Sequence, residues 1–346
     1  MLLEGLYIPL TTPFYPDGRL NLRKLEHNAD RYSRTPAAGF AVLSDVGEPT
    51  MLSEEETRQA LRTAIDSTAV EKVMLAGVSR DSVVGTVELA EFAANAGYDM
   101  VLVRQPSFFR DGAGARELLT YFRSVADRSP VPVVLYSPDG LLPVEVAIEL
   151  AGHPQIIGLV DGGHGRIGVV RAGTDAVRRE VTVTTVFAAA TGRMLAQREA
   201  TGAATYIAAD ALTGGGAGLA VAPPKPAIKT RTKTVGFQVL TCNTAEMLDG
   251  LNSGAVGAMP GFAACAPQAC YEVFAAWKDG DSGLSFEKQA WLRSAVDRIE
   301  VELGVPGIRF GCDLNGYFGG RPRLPLLPPT GDERTEIEVL MRGIRN

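Results

Sequence analysis

Histidine is scarce in this chain, with three among 346 residues (His27, His153 and His164), so a histidine-rich metal centre is not expected. The four cysteines, Cys242, Cys265, Cys270 and Cys312, contain no C-x-x-C pairing and lie in apolar contexts. They read as buried reduced thiols rather than metal ligands, and no metal site is expected. No apolar run approaches the length of a membrane-spanning helix, and the opening Met1-Leu2-Leu3-Glu4 lacks the basic start and apolar core of a signal peptide. A cytoplasmic protein without a membrane partner is therefore expected. Basic charge is also lacking: the net charge is −6, which gives no reason to expect a nucleic-acid or anionic-membrane partner. Lysine occurs at seven positions only, a scarcity that bears on the chemistry below.

What the chain does have is apolar substance, 46% of its residues, enough for a sizeable core. The first half alternates strand-like runs (6–10, 39–43, 72–76, 100–103, 131–136 and 156–160) with segments of helical period. The capping-box pattern Ser53-x-x-Glu56 opens one such segment, with Ala60, Ala64 and Ile65 on one face. Another carries Val83, Val87, Ala90 and Ala94. Strands apolar throughout and separated by helices imply a parallel sheet covered on both sides, either doubly wound or closed into a barrel. Gly163-x-Gly165-x-x-Gly168 follows the sixth run, but the acid that a dinucleotide site wants at the end of the next strand is missing, because Glu180 precedes that strand. A glycine-rich loop is the better reading, and no cofactor is expected.

Runs at 181–187 and 204–208 flank a helical stretch near 193–199, and a second such unit spans 237–259. Counting both gives more strands than the eight of a closed (β/α)8 barrel. One unit must be inserted, and 213–233, rich in Gly, Pro, Lys and Thr, reads as an extended loop. Beyond residue 265 the pattern is helical only, with Leu292, Val296, Ile299 and Leu303 on one stripe and Ile337, Leu340, Met341 and Ile344 on another.

Several short motifs, in order along the chain, resemble the dihydrodipicolinate synthase / N-acetylneuraminate lyase family. The opening from Gly5 to Gly18 is similar to its first strand and turn. Gly47, Glu48 and the Leu52-Ser53-Glu54-Glu55-Glu56 run resemble its GTTGE loop and the helix that follows. Ala76-Gly77-Val78, Leu135-Tyr136, Ile157-Gly158-Leu159-Val160-Asp161 and Gly254-Ala255-Val256-Gly257-Ala258 resemble the family's third, fifth, sixth and eighth strands. Gly319-Gly320-x-Pro-Arg-Leu-Pro-Leu resembles its closing connector. The resemblance covers about 5–165 and 237–346. It implies an α/β fold, a (β/α)8 TIM barrel at 1–264 with an insertion at about 175–236 before the seventh strand, and a C-terminal helical region at 265–346.

The resemblance also implies lyase chemistry, in which a lysine of the sixth strand forms an imine with a 2-oxo acid. The matching position is Val160, which cannot. The hydroxyl pair of the GTTGE loop corresponds to Asp45 and Val46, the arginine after the family tyrosine has no counterpart, and the tyrosine lent by a neighbouring subunit maps near Phe108 or Phe109. Tyr136 survives. A substrate carboxylate near Asp45 would meet like charge, on the order of 1 kcal/mol at 4 Å in water and about 4 at an effective dielectric of 20. Imine chemistry by the family's route is therefore not expected. A substitute lysine would come from Lys225, Lys229 or Lys233 if the insertion folds over the barrel mouth.

Barrel enzymes build their sites at the carboxyl ends of the strands. Tyr136, Asp45 and His164 are the expected acid–base groups if they converge. Thr11, Thr12, Glu48, Val160, Asp161 and Asn243 are the expected lining of a small-molecule site. Plainer roles stand beside these: Asp45 capping a turn, Glu48 bracing its loop, His164 in solvent. The sequence supports three readings: a lysine-independent lyase or hydratase acting on a small oxygenated metabolite, a non-catalytic metabolite- or partner-binding homologue, and an aldolase with a relocated lysine. The resemblance implies a homo-oligomer, dimer or tetramer.

Overall fold

A computed structural model describes residues 1–109, 114–202 and 229–344. Eight parallel strands close into a barrel in the order β1 (Gly5–Leu10), β2 (Gly39–Val42), β3 (Val73–Gly77), β4 (Met100–Val103), β5 (Val133–Ser137), β6 (Ile156–Asp161), β9 (Gln238–Thr241) and β10 (Gly257–Ala258). Closure is made by Gly5 and Leu6 of β1 pairing with Gly257 and Ala258 of β10. Such a strand buries both faces, which is why the runs show no polar alternation. One face fills the barrel: Tyr7, Leu75, Leu102, Tyr136, Val160 and Leu240 share an interior cluster. The other packs on surrounding helices in a larger cluster that includes Ile8, Phe40, Leu135 and Leu159.

Helices α1 (Leu22–Ser33), α2 (Glu54–Asp66), α3 (Val83–Ala96), α4 (Ala115–Ala126), α5 (Val144–Leu150), α6 (Arg166–Gly173) and α8 (Met247–Asn252) connect the barrel strands. The capping box of α2 forms as its sequence predicts: Ser53 Oγ accepts from the Glu56 amide and the Glu56 carboxylate accepts from the Ser53 amide. The stripe expected on α3 is displaced. Thr86, Leu89, Ala90 and Ala93 are its buried residues, because apolar side chains surround this helix and periodicity alone selects no face.

The surplus unit is an antiparallel pair, β7 (Arg179–Thr184) and β8 (Thr230–Val235), with α7 (Gly192–Gly202) after β7. It lies outside the barrel sheet, between β6 and β9. Residues 230–233, expected to be loop, are strand, since Arg231 and Lys233 take paired positions opposite Val183 and Val181. The expected strand at 204–208 lies outside the described residues, as does Lys225.

The described part of this unit packs on the floor of the barrel, at the amino ends of its strands. Val181 and Val183 pack with Leu2. Arg193 donates to the carbonyls of Ile65, Thr68, Ala69 and Lys72, where α2 ends and β3 begins. Thr191 donates to the Val70 carbonyl, and the Gly192 amide to Asp99 at the foot of β4.

Four C-terminal helices complete the structure: α9 (Pro267–Lys278), α10 (Ser282–Val296), α11 (Gly304–Leu314) and α12 (Gly331–Met341). A π-helical stretch, Asp297–Glu302, continues α10. Among the described residues no helix is long and apolar enough to cross a membrane.

Candidate active site

The loop after β2 is the most strained part of the mouth. Leu43 and Glu48 both take left-handed backbone conformations, φ 60° and 52°, around a 3-10 turn at Asp45–Gly47. Such geometry persists only where surrounding contacts over-determine it, and here they do. Thr12 Oγ1 donates to the Gly47 carbonyl at 2.6 Å. The Glu48 carboxylate meets Arg309 of α11 at 2.5 Å, both side chains fully buried. Arg309 also donates to the Thr12 carbonyl at 2.6 Å. Gly77 lets β3 pass beneath this loop: a Cβ there would stand 2.0 Å from the Leu43 carbonyl oxygen. The loop is thus braced by the barrel and by the C-terminal helices together, and it presents Asp45 to the mouth.

Asp45 meets Arg104, which follows β4. One terminal nitrogen of the guanidinium lies 3.0 and 2.9 Å from the two oxygens of Asp45, and the other contacts Asp139 after β5. Burial works against the arginine's charge, but Asp45 and then Asp139 outweigh it and hold its pKa above the usual value. Asp45 and Asp139 thus share one guanidinium. The arginine lies two strands away in sequence, and only the fold brings it alongside Asp45.

Tyr136 ends β5 beneath this clamp. The Asp45 amide donates to its hydroxyl oxygen at 3.4 Å. Burial first, and the Asp45 charge second, push its pKa well above 10, so the phenol stays protonated at neutral pH. Its strand neighbour in register is Val160 of β6, fully buried and turned into the barrel interior. A cavity of about 360 Å³ opens above, lined by Asp45, Ser79, Arg80, Arg104, Gln105 and Tyr136 among others.

Tyr136 and Asp45 come together; His164 does not join them. Its side chain is 85% exposed and pairs with Glu246 at 2.7 Å on the loop leading into α6, and that pairing raises its pKa. Asn243 is occupied with the same Glu246, donating to its carboxylate and accepting from its amide, both at 3.3 Å. Asp161 is buried, accepts from the Gly163 amide at 2.7 Å and lies 3.3 Å from Arg166; burial raises its pKa. Thr11 is buried with no partner for its hydroxyl among the described residues. Thr12 and Glu48 brace the loop, as described. The Cys242 thiol is buried and its pKa pushed well up by that burial, which suits a neutral thiol rather than a nucleophilic thiolate.

Three groups were not singled out from sequence. Arg104 follows β4 with no partner near it in sequence, and Asp139 lies in the loop that lacks the arginine expected after Tyr136. Glu300 carried no signal at all. It follows Ile299 of an apolar stripe, and the wider π-helical turn brings its carboxyl against Thr244 and the backbone of Gly261 and Phe262. One oxygen, Oε2, is buried without a partner among the described residues. Burial, only partly offset by those neighbours, lifts its pKa to about 7. Local rearrangements of this kind recur at functional sites, and periodicity cannot foresee them.

Lys233, a candidate substitute amine, pairs with Glu4 just ahead of β1, at the floor and not at the mouth. Lys229 is exposed, one residue before β8.

The chain was compared with known proteins. An L-threo-3-deoxy-hexylosonate aldolase of Hypocrea jecorina is 33% identical over 184 residues, 50% of this chain and 58% of that protein. The protein of the same name from Aspergillus niger is 26% identical over 344 residues, covering 94% of this chain and 90% of its own. A 4-hydroxy-tetrahydrodipicolinate synthase of Methanothrix thermoacetophila is 25% identical, with 98% and 96% covered. Among solved structures, dihydrodipicolinate synthase from Acinetobacter baumannii superposes with a TM-score of 0.77 at 18% identity, covering 99% of this chain and 100% of that one. YagE of E. coli K12, a prophage protein of the dihydrodipicolinic acid synthase family, gives 0.76 at 21%, with 99% of both chains covered. These structural likenesses agree with the barrel described above. The profile of the dihydrodipicolinate synthetase family matches residues 2–211, and with relatives aligned along nearly the whole length the chain belongs to that family of lyases and aldolases.

Proposed function

We propose that this chain is a lyase that works without an imine, acting on a small, oxygen-rich metabolite through Tyr136 and Asp45. The observation that carries this reading is the placement of Tyr136, protonated and facing the cavity, beside the Asp45 carboxylate, which pairs with Arg104. A base and an acid on one cavity are the requirement for carbon–oxygen or carbon–carbon lysis. Asp45 takes a proton from the substrate while the Tyr136 hydroxyl gives one to the oxygen that departs or gains charge. Arg104 lies where it would stabilise that charge as it develops. Val160 gives no nucleophile beside Tyr136.

The relatives named for a deoxy-hexylosonate and for 4-hydroxy-2-oxoglutarate support hydroxylated acids as the first compounds to try. The chain is taken to act as a homo-oligomer, although a monomeric dihydrodipicolinate synthase variant is among its structural neighbours. A binding homologue without activity would have an apolar or collapsed mouth, whereas this cavity is open and carries Asp45, Arg80, Arg104 and Tyr136 beside Leu43, Pro49 and Leu52.

Borohydride trapping with pyruvate and other 2-oxo acids, read by intact mass and peptide mapping, tests the imine-free reading. No adduct is expected. An adduct on Lys225, Lys229 or Lys233 would make this a relocated-lysine aldolase and refute the proposal. With a substrate found among hydroxy acids and neutral sugars, Tyr136→Phe should lower kcat about 10²- to 10⁴-fold. An unchanged kcat would remove Tyr136 from the mechanism.

A further inference from the structure

At the other end of the barrel lies a second cavity, of about 550 Å³, between the floor and β7. Its walls are apolar over much of their area, with Met1, Pro154, Ile157, Val177 and Val181, and Arg178, Arg179 and Glu180 also reach it. That volume is ordinary for a site taking a metabolite-sized ligand.

Arg179 opens β7, and its hydrogen bonds among the described residues leave from one nitrogen, whose two hydrogens are shared by three acceptors. Nη2 donates to the carbonyls of Ala151, His153 and Ile156 at 2.7, 2.8 and 2.9 Å. The guanidinium also lies over the Phe237 ring, 6.0 Å from its centroid. Nη1 is buried with no partner among the described residues. Arg104, Arg166, Arg309 and Arg323 each face a carboxylate. Arg179 makes no ion pair among the described residues, and Glu180, at the cavity's edge, forms none with it. Burial, relieved by no acid, lowers its pKa. Three carbonyls satisfy donors but bring no neutralising charge, and a half-buried guanidinium facing no carboxylate gains from an anion brought beside it.

We propose that this floor cavity is a binding site for a small organic anion, its carboxylate or phosphate group held by Arg179 and its apolar body against Ile157, Val177 and Val181. The two head groups differ in what they ask of the site. With Nη2 held by carbonyls, a carboxylate would meet the remaining edge of the guanidinium, and its apolar tail would reward the walls, whereas free inorganic phosphate has no body to bury. The site stands apart from the mouth and does not depend on the lyase reading. It also gives the inserted unit a purpose, because the arginine that charges the cavity comes from that unit.

The test is binding to the full-length chain by calorimetry, with inorganic phosphate, acetate and octanoate as probes, and hydrogen exchange to locate the site. Saturable binding with protection at 151–157 and 177–181 is expected, strongest for octanoate if the head group is a carboxylate with an apolar body. Preference for phosphate over both carboxylates would assign a phosphate head. Arg179→Gln should weaken binding about tenfold or more, the worth of a charge-assisted contact. Because that substitution also removes three carbonyl contacts, Arg178→Gln and protection mapping of the unaltered chain serve as independent readouts. No binding by any probe, or protection confined to the mouth, would overturn the proposal.

Discussion

Replacing Glu300 with glutamine should make this protein more stable in mild alkali and leave it little changed in mild acid. The carboxyl reaches inward from the π-helical turn, with Cys242, Cys265 and Cys270 as the titratable groups that feel its charge. Its pKa rises from 4.5 to about 7 on folding, chiefly by burial. Below the unfolded value the acid is protonated in both states and costs nothing. Between about 4.5 and 7 the unfolded chain gives up a proton that the folded chain keeps, so stability is lost across that interval and the loss levels off above 7. The loss amounts to about 3 kcal/mol once ionisation is complete. For a chain of this length that is about 4 °C in Tm. Thermal unfolding of the native chain and Glu300→Gln, followed by circular dichroism at pH 5, 6.5 and 8, measures it. The variant should gain on the native chain mostly between pH 5 and 6.5 and only a little more by pH 8. A gap that is the same at pH 5 and pH 8, or one that favours the native chain at pH 8, would show that Glu300 does not titrate in this window. Below pH 4 other carboxylates intervene, among them Glu56, which Arg323 holds down near 2.

Glu48→Gln strands the buried Arg309 charge and should cost about 3–5 kcal/mol in urea unfolding; Arg309→Met alongside it should return part of that loss, and a purely additive double variant would argue against a coupled pair. Arg193→Ala removes donors from four carbonyls beneath the barrel and should lower stability by about 2 kcal/mol, with faster hydrogen exchange at 65–72, while leaving ligand binding at the mouth unchanged. Gly77→Ala places a methyl group against the Leu43 carbonyl and should distort the Asp45 loop, seen as lost activity in a chain that still gives a barrel's circular dichroism.

The barrel was legible because its signals are local and repeated. Each strand is a short apolar run, and the Ser53 capping box is read from four adjacent residues. The surplus of strands also showed that a unit had been inserted. Its position at the floor could not be read, since that depends on Arg193 and Thr191 finding carbonyls more than a hundred residues away. The site was half legible. Tyr136 lies near the carboxyl end of β5 and Asp45 just beyond β2, and strand ends converge in any barrel. Arg104 bridging Asp45 and Asp139 required knowing that β2, β4 and β5 present these side chains to a common point. Glu300 depended on one turn of helix being wider than its neighbours, which the spacing of Leu292, Val296 and Ile299 does not record. His164 was favoured for its titration range, yet its ring stands in solvent beside Glu246.

The bond between Glu48 and Arg309 also sets a schedule for the newborn chain. The two residues are 261 positions apart. A ribosome adding roughly 5–20 residues each second needs on the order of 10 to 50 seconds to cover that distance. Throughout that interval the loop that carries Asp45 lacks the partner that holds its left-handed turn. The strands and helices of the early barrel can assemble while synthesis continues, but the mouth waits. A nascent chain stalled before residue 309 would hold most of the barrel's sequence without a finished site. Helix α11 thus acts as a completion signal, arming the mouth only after every strand of the barrel has been made.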